Sequence, residues 1–195
     1  FSAIHSLLNR FHEDVVHREF SKSVFFSINK PIFARMKKVV FLDRDGVINR
    51  EIGTYVFQFK NFVLNEGLEK ALLYWDKKGY SFAIVTNQGG ISKQLYKHQD
   101  VEQLHVFLRD WFSRLGLNLL AISYCPHHDA YESCICRKPN SLMLEKMIAR
   151  FDVAVNDSFL IGDSPRDIEA AKAVGLRGFL IDANSNLNDL IRSND

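Results

Sequence analysis

Short apolar runs alternate along the chain with segments of helical hydrophobic period, and the first run sets the pattern. Val39, Val40, Phe41 and Leu42 are continuous and apolar, then stop at Asp43, Asp45 and Gly46. A run of this length with no polar alternation predicts a strand covered on both faces. Residues 46–63 are rich in aromatic and β-branched side chains (Tyr55, Val56, Phe57, Phe59) and predict a hairpin-like flap. Leu68, Ala71, Leu72 and Trp75 then share one face of a helix over 66–78, with Gly79 just past its end. A second buried strand is expected at 81–86, closing on Asn87-Gln88-Gly89-Gly90. Asp100 reads as the N-cap of a helix striped by Val101, Leu104, Leu108, Trp111 and Leu115, ending near Gly116. The series continues with a strand at 119–124, a helix at 141–150 and a strand at 159–162. A helix opened by Pro165 and stopped by Gly175 leads to a fifth strand at 177–181. Such alternation implies an α/β fold, a doubly wound parallel sheet with right-handed crossovers and helices on both faces.

The beginning of the chain reads differently. Ile4, Leu7, Leu8, Phe11 and Val15 suit a short amphipathic helix, and Pro31 precedes Met36-Lys37-Lys38. Residues 1–35 are expected to be a non-catalytic extension or upstream remnant, with 36–195 as the catalytic domain. No basic start precedes a long apolar core, so a signal peptide is not expected. A chain of 195 residues, 47% hydrophobic, suits one full core with such an appendage. The net charge of +2 points to neither nucleic acid nor a membrane surface. No apolar run approaches the roughly 18–20 residues of a membrane span. With no coiled-coil pattern, a monomer is expected.

Three strand ends carry polar groups: Asp43 with Asp45, Thr86 with Asn87, and Asp163 with Asp167. A doubly wound sheet brings such ends to one edge. Crowded carboxylates raise one another's pKa unless a cation intervenes, and an all-oxygen donor set suits Mg²⁺. Each pair taken singly also reads as a surface turn, and Thr86 as a helix cap. The three cysteines are Cys125, Cys134 and Cys136, an odd number that argues against a secreted disulfide framework and for the cytosol. With His127 or His128 they offer three thiolates and an imidazole, a closed tetrahedral set for a structural Zn²⁺ that would brace the loop. The cations Arg137 and Lys138 follow directly.

Taken in order, Asp43-Arg44-Asp45-Gly46, Thr86-Asn87, Arg137-Lys138-Pro139 and Gly162-Asp163 with Asp167 resemble the four motifs of the haloacid dehalogenase (HAD) superfamily. The resemblance covers about residues 38–182. It implies that Asp43 is the nucleophile that forms an aspartyl-phosphate, and that Asp45 is the general acid and base. It also implies that Mg²⁺ is held by Asp43, the Asp45 carbonyl and Asp163, and that Thr86 and Lys138 steady the transferring phosphoryl group. Asp167 would support the metal through water or face the helix start. Cys-Pro-His with Cys-x-Cys-Arg-Lys-Pro is similar to the zinc-bearing HAD branch, which lacks a large cap domain and favours His127 as the fourth zinc ligand.

That branch contains heptose bisphosphate and histidinol-phosphate phosphatases, so the resemblance implies a small phosphorylated metabolite. The segment Asn49-Arg50-Glu51-Ile52-Gly53-Thr54-Tyr55-Val56 is similar to the flap of the heptose enzymes. By that match Glu51, Gly53 and Asn87 contact substrate and Arg137 grips a second phosphate. Glu51 stands where Asp is usual there, and Ser164 where Lys is frequent. D-glycero-D-manno-heptose 1,7-bisphosphate is therefore the first expected substrate and histidinol phosphate the alternative. A non-catalytic zinc module would instead need a basic stripe with interleaved aromatics, which the sequence lacks.

Overall fold

In the computed structural model, which describes residues 36–192, five parallel strands form one sheet in the order β3-β2-β1-β4-β5. In chain order these are β1 (Lys38–Leu42), β2 (Tyr80–Asn87), β3 (Leu119–Cys125), β4 (Phe159–Gly162) and β5 (Arg177–Leu180). The helices are α1 (Leu68–Lys77), α2 (His98–Arg114), α3 (Leu142–Phe151), α4 (Pro165–Ala173) and α5 (Asn188–Arg192). The chain builds outward from β1 to β3, then returns to lay β4 against the other side of β1. That reversal opens a crevice beyond the carboxyl ends of β1 and β4, the usual ligand position in an open α/β sheet.

The unbroken apolar runs are explained by the two faces of the sheet. Val40, Leu42, Phe82 and Ile84 pack with Leu68, Leu72 and Trp75 of α1 and with Leu108 and Phe112 of α2. The alternate residues Val39, Phe41, Ala83 and Val85 pack with Met143, Leu144 and Met147 of α3 and Ala170 and Ala171 of α4. Successive side chains point to opposite faces, so a strand covered on both can carry no polar position. Polarity is thereby deferred to the strand ends, where the site lies.

Between β1 and β2 lie only the flap and α1, so the described residues hold no large cap domain there. The flap is paired as an antiparallel hairpin only at its base, where Asn49 bridges Leu64, the Arg50 N–H donates to the Val63 carbonyl at 2.8 Å and the Asn65 N–H to the Ile48 carbonyl at 2.9 Å. The rest has a bridge between Asn49 and Asp45 and one 3₁₀ turn, Phe59–Asn61. A side-chain amide adds to the pairing: Asn65 Nδ2 donates to the carbonyls of Gly46 (2.8 Å) and Val47 (3.0 Å). Asp100 is the third residue of α2 rather than its N-cap, and its carboxylate accepts the Lys97 N–H at 2.7 Å. The helix α5 was too short to show a period; Leu187 before it and Ile191 within it complete the first apolar cluster. Among the described residues no helix is long and apolar enough to cross a membrane. The extension expected over 1–35 lies outside the described residues.

Candidate active site

The floor of the crevice is a buried charge cluster. Asp43 follows β1 directly, and its N–H donates to Ile161 of β4 at 3.0 Å, which fixes it at the reversal point. Lys138 Nζ lies 2.9 Å from Asp43 Oδ1 and 2.6 Å from Asp167 Oδ1, and donates to the Val85 carbonyl at 2.7 Å. The Arg44 N–H also donates to Asp43 Oδ1 at 2.7 Å, so both assigned donors hold one oxygen. Burial pushes the Asp43 carboxyl up to about 7; Lys138 pulls it down, while Asp167 and Asp45 push it up. Burial opposes the charge on Lys138, but Asp43 and Asp167 outweigh it and hold its pKa above the ordinary lysine value. Burial, then Asp167, raises Asp163 as well.

Carboxylate oxygens of Asp43, Asp163 and Asp167 all lie within 4.8 Å of one another. One buried lysine does not balance three carboxylates. The excess of hard oxygen donors fits a divalent cation of the Mg²⁺ kind. Two glycines make the cluster possible. A Cβ on Gly46, whose φ is +83°, would collide with the Asp163 carboxylate, and one on Gly162 would collide with Asp167. Asp167 is also the third residue of α4 and accepts the Ser164 N–H at 3.0 Å, so it caps the helix while facing Lys138.

Asp45 is turned toward a set of neutral and cationic donors. Arg44 Nη2 reaches both its oxygens at 2.9 Å, Asn49 Nδ2 donates at 2.9 Å and Gln88 Nε2 at 3.0 Å. Gln88 Nε2 also donates to Thr86 Oγ1 at 3.0 Å, and Gln88 Oε1 accepts from the Tyr96 hydroxyl at 2.9 Å. Thr86 and Asp45 are thus set by one carboxamide. Arg44 and Gln88 stand in the sequence motifs without a role of their own, Gln88 as part of a Gly-containing strand end, and Tyr96 has no sequence signal at all.

Asp43, Asp45, Thr86, Asn87, Asp163, Glu51, Gly53 and Arg137 line one cavity of about 390 Å³, together with His128 and Arg166. Asn87 also serves the chain beside the cavity. Its Oδ1 accepts the Lys138 N–H and its Nδ2 donates to the Lys138 carbonyl, each at 3.0 Å, so the carboxamide holds Lys138 in place. Arg137 is largely buried, bonded to the His127 carbonyl at 3.0 Å and paired with Asp129 at 3.0 Å. Arg166, in the first turn of α4, is exposed toward the cavity and was not anticipated. Glu51 Oε1 accepts the Gly53 N–H at 2.6 Å, which shapes the tip of the flap.

Beside the cavity, the cysteine loop closes on itself. His127 Nδ1 lies 3.4 Å from Cys125 Sγ and 3.2 Å from Cys136 Sγ. Cys125 Sγ lies 3.6 Å from Cys134 and 3.2 Å from Cys136. The four donor atoms can therefore hold one metal ion, and the geometry takes His127 rather than His128, whose Nδ1 accepts the Ala130 N–H. Three sulfurs and one nitrogen suit Zn²⁺ in a closed tetrahedral site.

Comparison with known proteins agrees with this geometry. The HAD-hydrolase-like family model matches residues 135–194. The D-glycero-beta-D-manno-heptose-1,7-bisphosphate 7-phosphatase of Neisseria meningitidis is 35% identical over 144 residues, spanning 74% of this chain and 76% of that protein. The enzyme of the same name from Haemophilus ducreyi is 37% identical over 148 residues, spanning 72% and 80%. The crystal structure of the D,D-heptose 1,7-bisphosphate phosphatase from B. bronchiseptica, complexed with magnesium and phosphate, superposes with a TM-score of 0.69 at 27% identity, covering 80% of this chain and 86% of that one. The chain belongs to the HAD phosphatases, in the branch of the heptose-1,7-bisphosphate 7-phosphatases, and is a phosphoric monoester hydrolase.

Proposed function

We propose that this enzyme removes the 7-phosphate from D-glycero-D-manno-heptose 1,7-bisphosphate through an aspartyl-phosphate on Asp43. The observation that carries the chemistry is the Asp43–Lys138–Asp167 cluster at the carboxyl end of β1. Lys138 and the Arg44 N–H hold Asp43 Oδ1, which orients the carboxylate toward the cavity. In the first half-reaction Asp43 forms the new bond to phosphorus as the bond to the sugar oxygen breaks, and Asp45 delivers a proton to that oxygen. In the second, Asp45 takes a proton from water, which displaces Asp43 and releases inorganic phosphate. Thr86 donates its hydroxyl proton to a phosphoryl oxygen while accepting from Gln88. Lys138 supplies the fixed positive charge near the transferring group.

Asp43, Asp163 and the Asp45 carbonyl would hold Mg²⁺, with Asp167 fixing Lys138 beside them. The ion neutralises phosphate charge and orients the phosphoryl oxygens when bound. Zn²⁺ held by Cys125, His127, Cys134 and Cys136 would brace the loop that aims Arg137 and Lys138. A cluster of reduced thiolates supports a cytosolic location, and one chain provides every group named, which supports a monomeric catalytic unit.

The substrate assignment rests on the relatives and on two arginines in one cavity. Arg137 and Arg166 are the cations available for a second phosphate, with Arg166 placed two residues beyond Ser164. Glu51 and the Gly53 backbone would meet sugar hydroxyls. Phosphate release with Mg²⁺ from the heptose bisphosphate and from histidinol phosphate, run side by side, tests this. A preference for the heptose of about a hundredfold in kcat/KM, or about 2.7 kcal/mol, is expected. A preference for histidinol phosphate would keep the Asp43 chemistry and overturn the substrate.

A further inference from the structure

The tip of the flap is tied to a residue far along the chain. Asn184, in the loop after β5, accepts the Glu51 N–H at Oδ1 (2.6 Å) and donates from Nδ2 to the Glu51 carbonyl (2.9 Å). The carboxamide thus fills both main-chain positions that a neighbouring strand would occupy. The Asn184 N–H donates in turn to the Gly46 carbonyl at 2.8 Å. Gly46 is the glycine whose missing side chain admits Asp163. One residue therefore links the turn that carries Asp45 to the flap segment that faces it.

The residue type is demanding at this position. Asn184 has φ +68°, a left-handed conformation that asparagine tolerates better than most residues with a side chain. Glycine would keep the conformation and lose the carboxamide. Aspartate would keep an acceptor for the Glu51 N–H and lose the donor for its carbonyl. The base of the flap is held separately, by Asn65 and by Arg44 Nη2 on the Val56 carbonyl at 2.7 Å. Between those anchors the segment with Glu51, Gly53, Thr54 and Tyr55 lines the cavity. Among the described residues the only hydrogen bonds assigned to the Glu51 main chain are those to Asn184.

We infer that Asn184 is a positioning residue that sets the flap over Asp43 and thereby the KM of the enzyme for its sugar phosphate. The kinetic half of this inference rests on the flap being the part that recognises substrate; the structural half does not. The test compares the full chain with its Asn184→Gly and Asn184→Asp variants, by amide hydrogen exchange and by steady-state kinetics on the heptose bisphosphate with Mg²⁺. In Asn184→Gly the Glu51 amide is expected to exchange about tenfold faster or more, while amides of β1 and β2 keep their wild-type rates. KM is expected to rise about fivefold or more with kcat changed less than about threefold, and Asn184→Asp to fall between.

Wild-type exchange at Glu51 in Asn184→Gly overturns the clasp. Faster exchange with unchanged KM, or a fall in kcat alone, overturns its role in binding. Should the wild-type enzyme not turn over the bisphosphate, the substrate reading fails by itself, and the exchange rates still decide whether Asn184 holds the flap.

Discussion

The floor of the cavity and the flap beside it are held by different forces. The floor is fixed by charge, with Lys138 between Asp43 and Asp167, all three buried. The flap is held largely by neutral hydrogen bonds, the main-chain pairs of Arg50 with Val63 and Asn65 with Ile48 and the carboxamides of Asn49, Asn65 and Asn184 on main-chain groups. Removing one partner of a buried ion pair costs about 3–5 kcal/mol, whereas a single neutral hydrogen bond contributes about 0.5–1.5 kcal/mol. The floor is accordingly unable to shift without stranding a charge, while the flap can be loosened one bond at a time. Chemistry placed on the first and recognition on the second would let specificity change without disturbing catalysis.

The sharpest way to break this division is Asp43→Asn. Asparagine keeps an oxygen for Lys138 and the Arg44 N–H but cannot form an acyl phosphate. Turnover is expected to fall by about 10⁴-fold or more. Substrate affinity measured by calorimetry should stay within about fivefold of wild type, because the flap and arginines are untouched. Residual turnover above about 1% of wild type would remove Asp43 from the nucleophile role. An equal loss of binding and turnover would show that floor and flap are not separable.

What could be read from the sequence follows the same line. Asp43, Asp163 and the five strands were legible because β-strand alternation and burial on two faces force polarity to the strand ends. Cys125, Cys134 and Cys136 are legible by spacing, which leaves His127 and His128 both open; the family resemblance favours His127, and the fold brings its ring to the sulfurs. The hairpin-like flap is legible as far as its base, where Asn49 pairs with Leu64. Its tip is held by Asn184 from 133 positions along the chain, beyond the reach of any local pattern. Asn87 lines the cavity, and its carboxamide also serves the main chain of Lys138, a contact between residues 87 and 138 that no local pattern announces. Arg166 was hidden by its setting: a polar residue in the first turn of a helix is ordinary until the cavity beside it is seen.

A smaller effect tests the recognition side. Arg166→Ala is expected to raise KM for the bisphosphate about tenfold, or about 1.4 kcal/mol, with a lesser effect on heptose 7-phosphate, which has the phosphate to be cleaved and lacks the second one. Arg137 is already engaged with Asp129 and the His127 carbonyl, so Arg166 is the freer of the two to follow a ligand. Equal effects on both substrates would mean that Arg166 acts on the phosphate at Asp43, through its neighbour Asp163, and not on a second one.

The smallest effect comes from a third way of burying a titratable group, with no hydrogen bond to the ring and a nearby carboxylate that stays at the surface. His105 of α2 is 1% exposed, and neither ring nitrogen has a hydrogen-bond partner among the described residues. Its ring meets the edge of Tyr124 at 5.4 Å, and Glu102 stands 4.0 Å from Nδ1 at the surface. Burial, then Arg44 and Arg109, lower its pKa to about 3 from an ordinary 6.5. Between those values only the unfolded chain takes up the proton. The contribution of His105 to stability is therefore fully present above pH 6.5 and is lost toward pH 3, at about 1.4 kcal/mol per pH unit. Asp43, with its raised pKa, titrates with the opposite sign over part of this range, so neither slope alone is informative. The difference between the wild-type and His105→Leu chains isolates the histidine. Denaturant unfolding at pH 7.5 and 5.5 is expected to show the variant losing about 1 kcal/mol less stability than the wild type over that interval. Parallel losses would mean that the ring finds a proton acceptor in the folded protein, and that its burial resembles that of Lys138 after all.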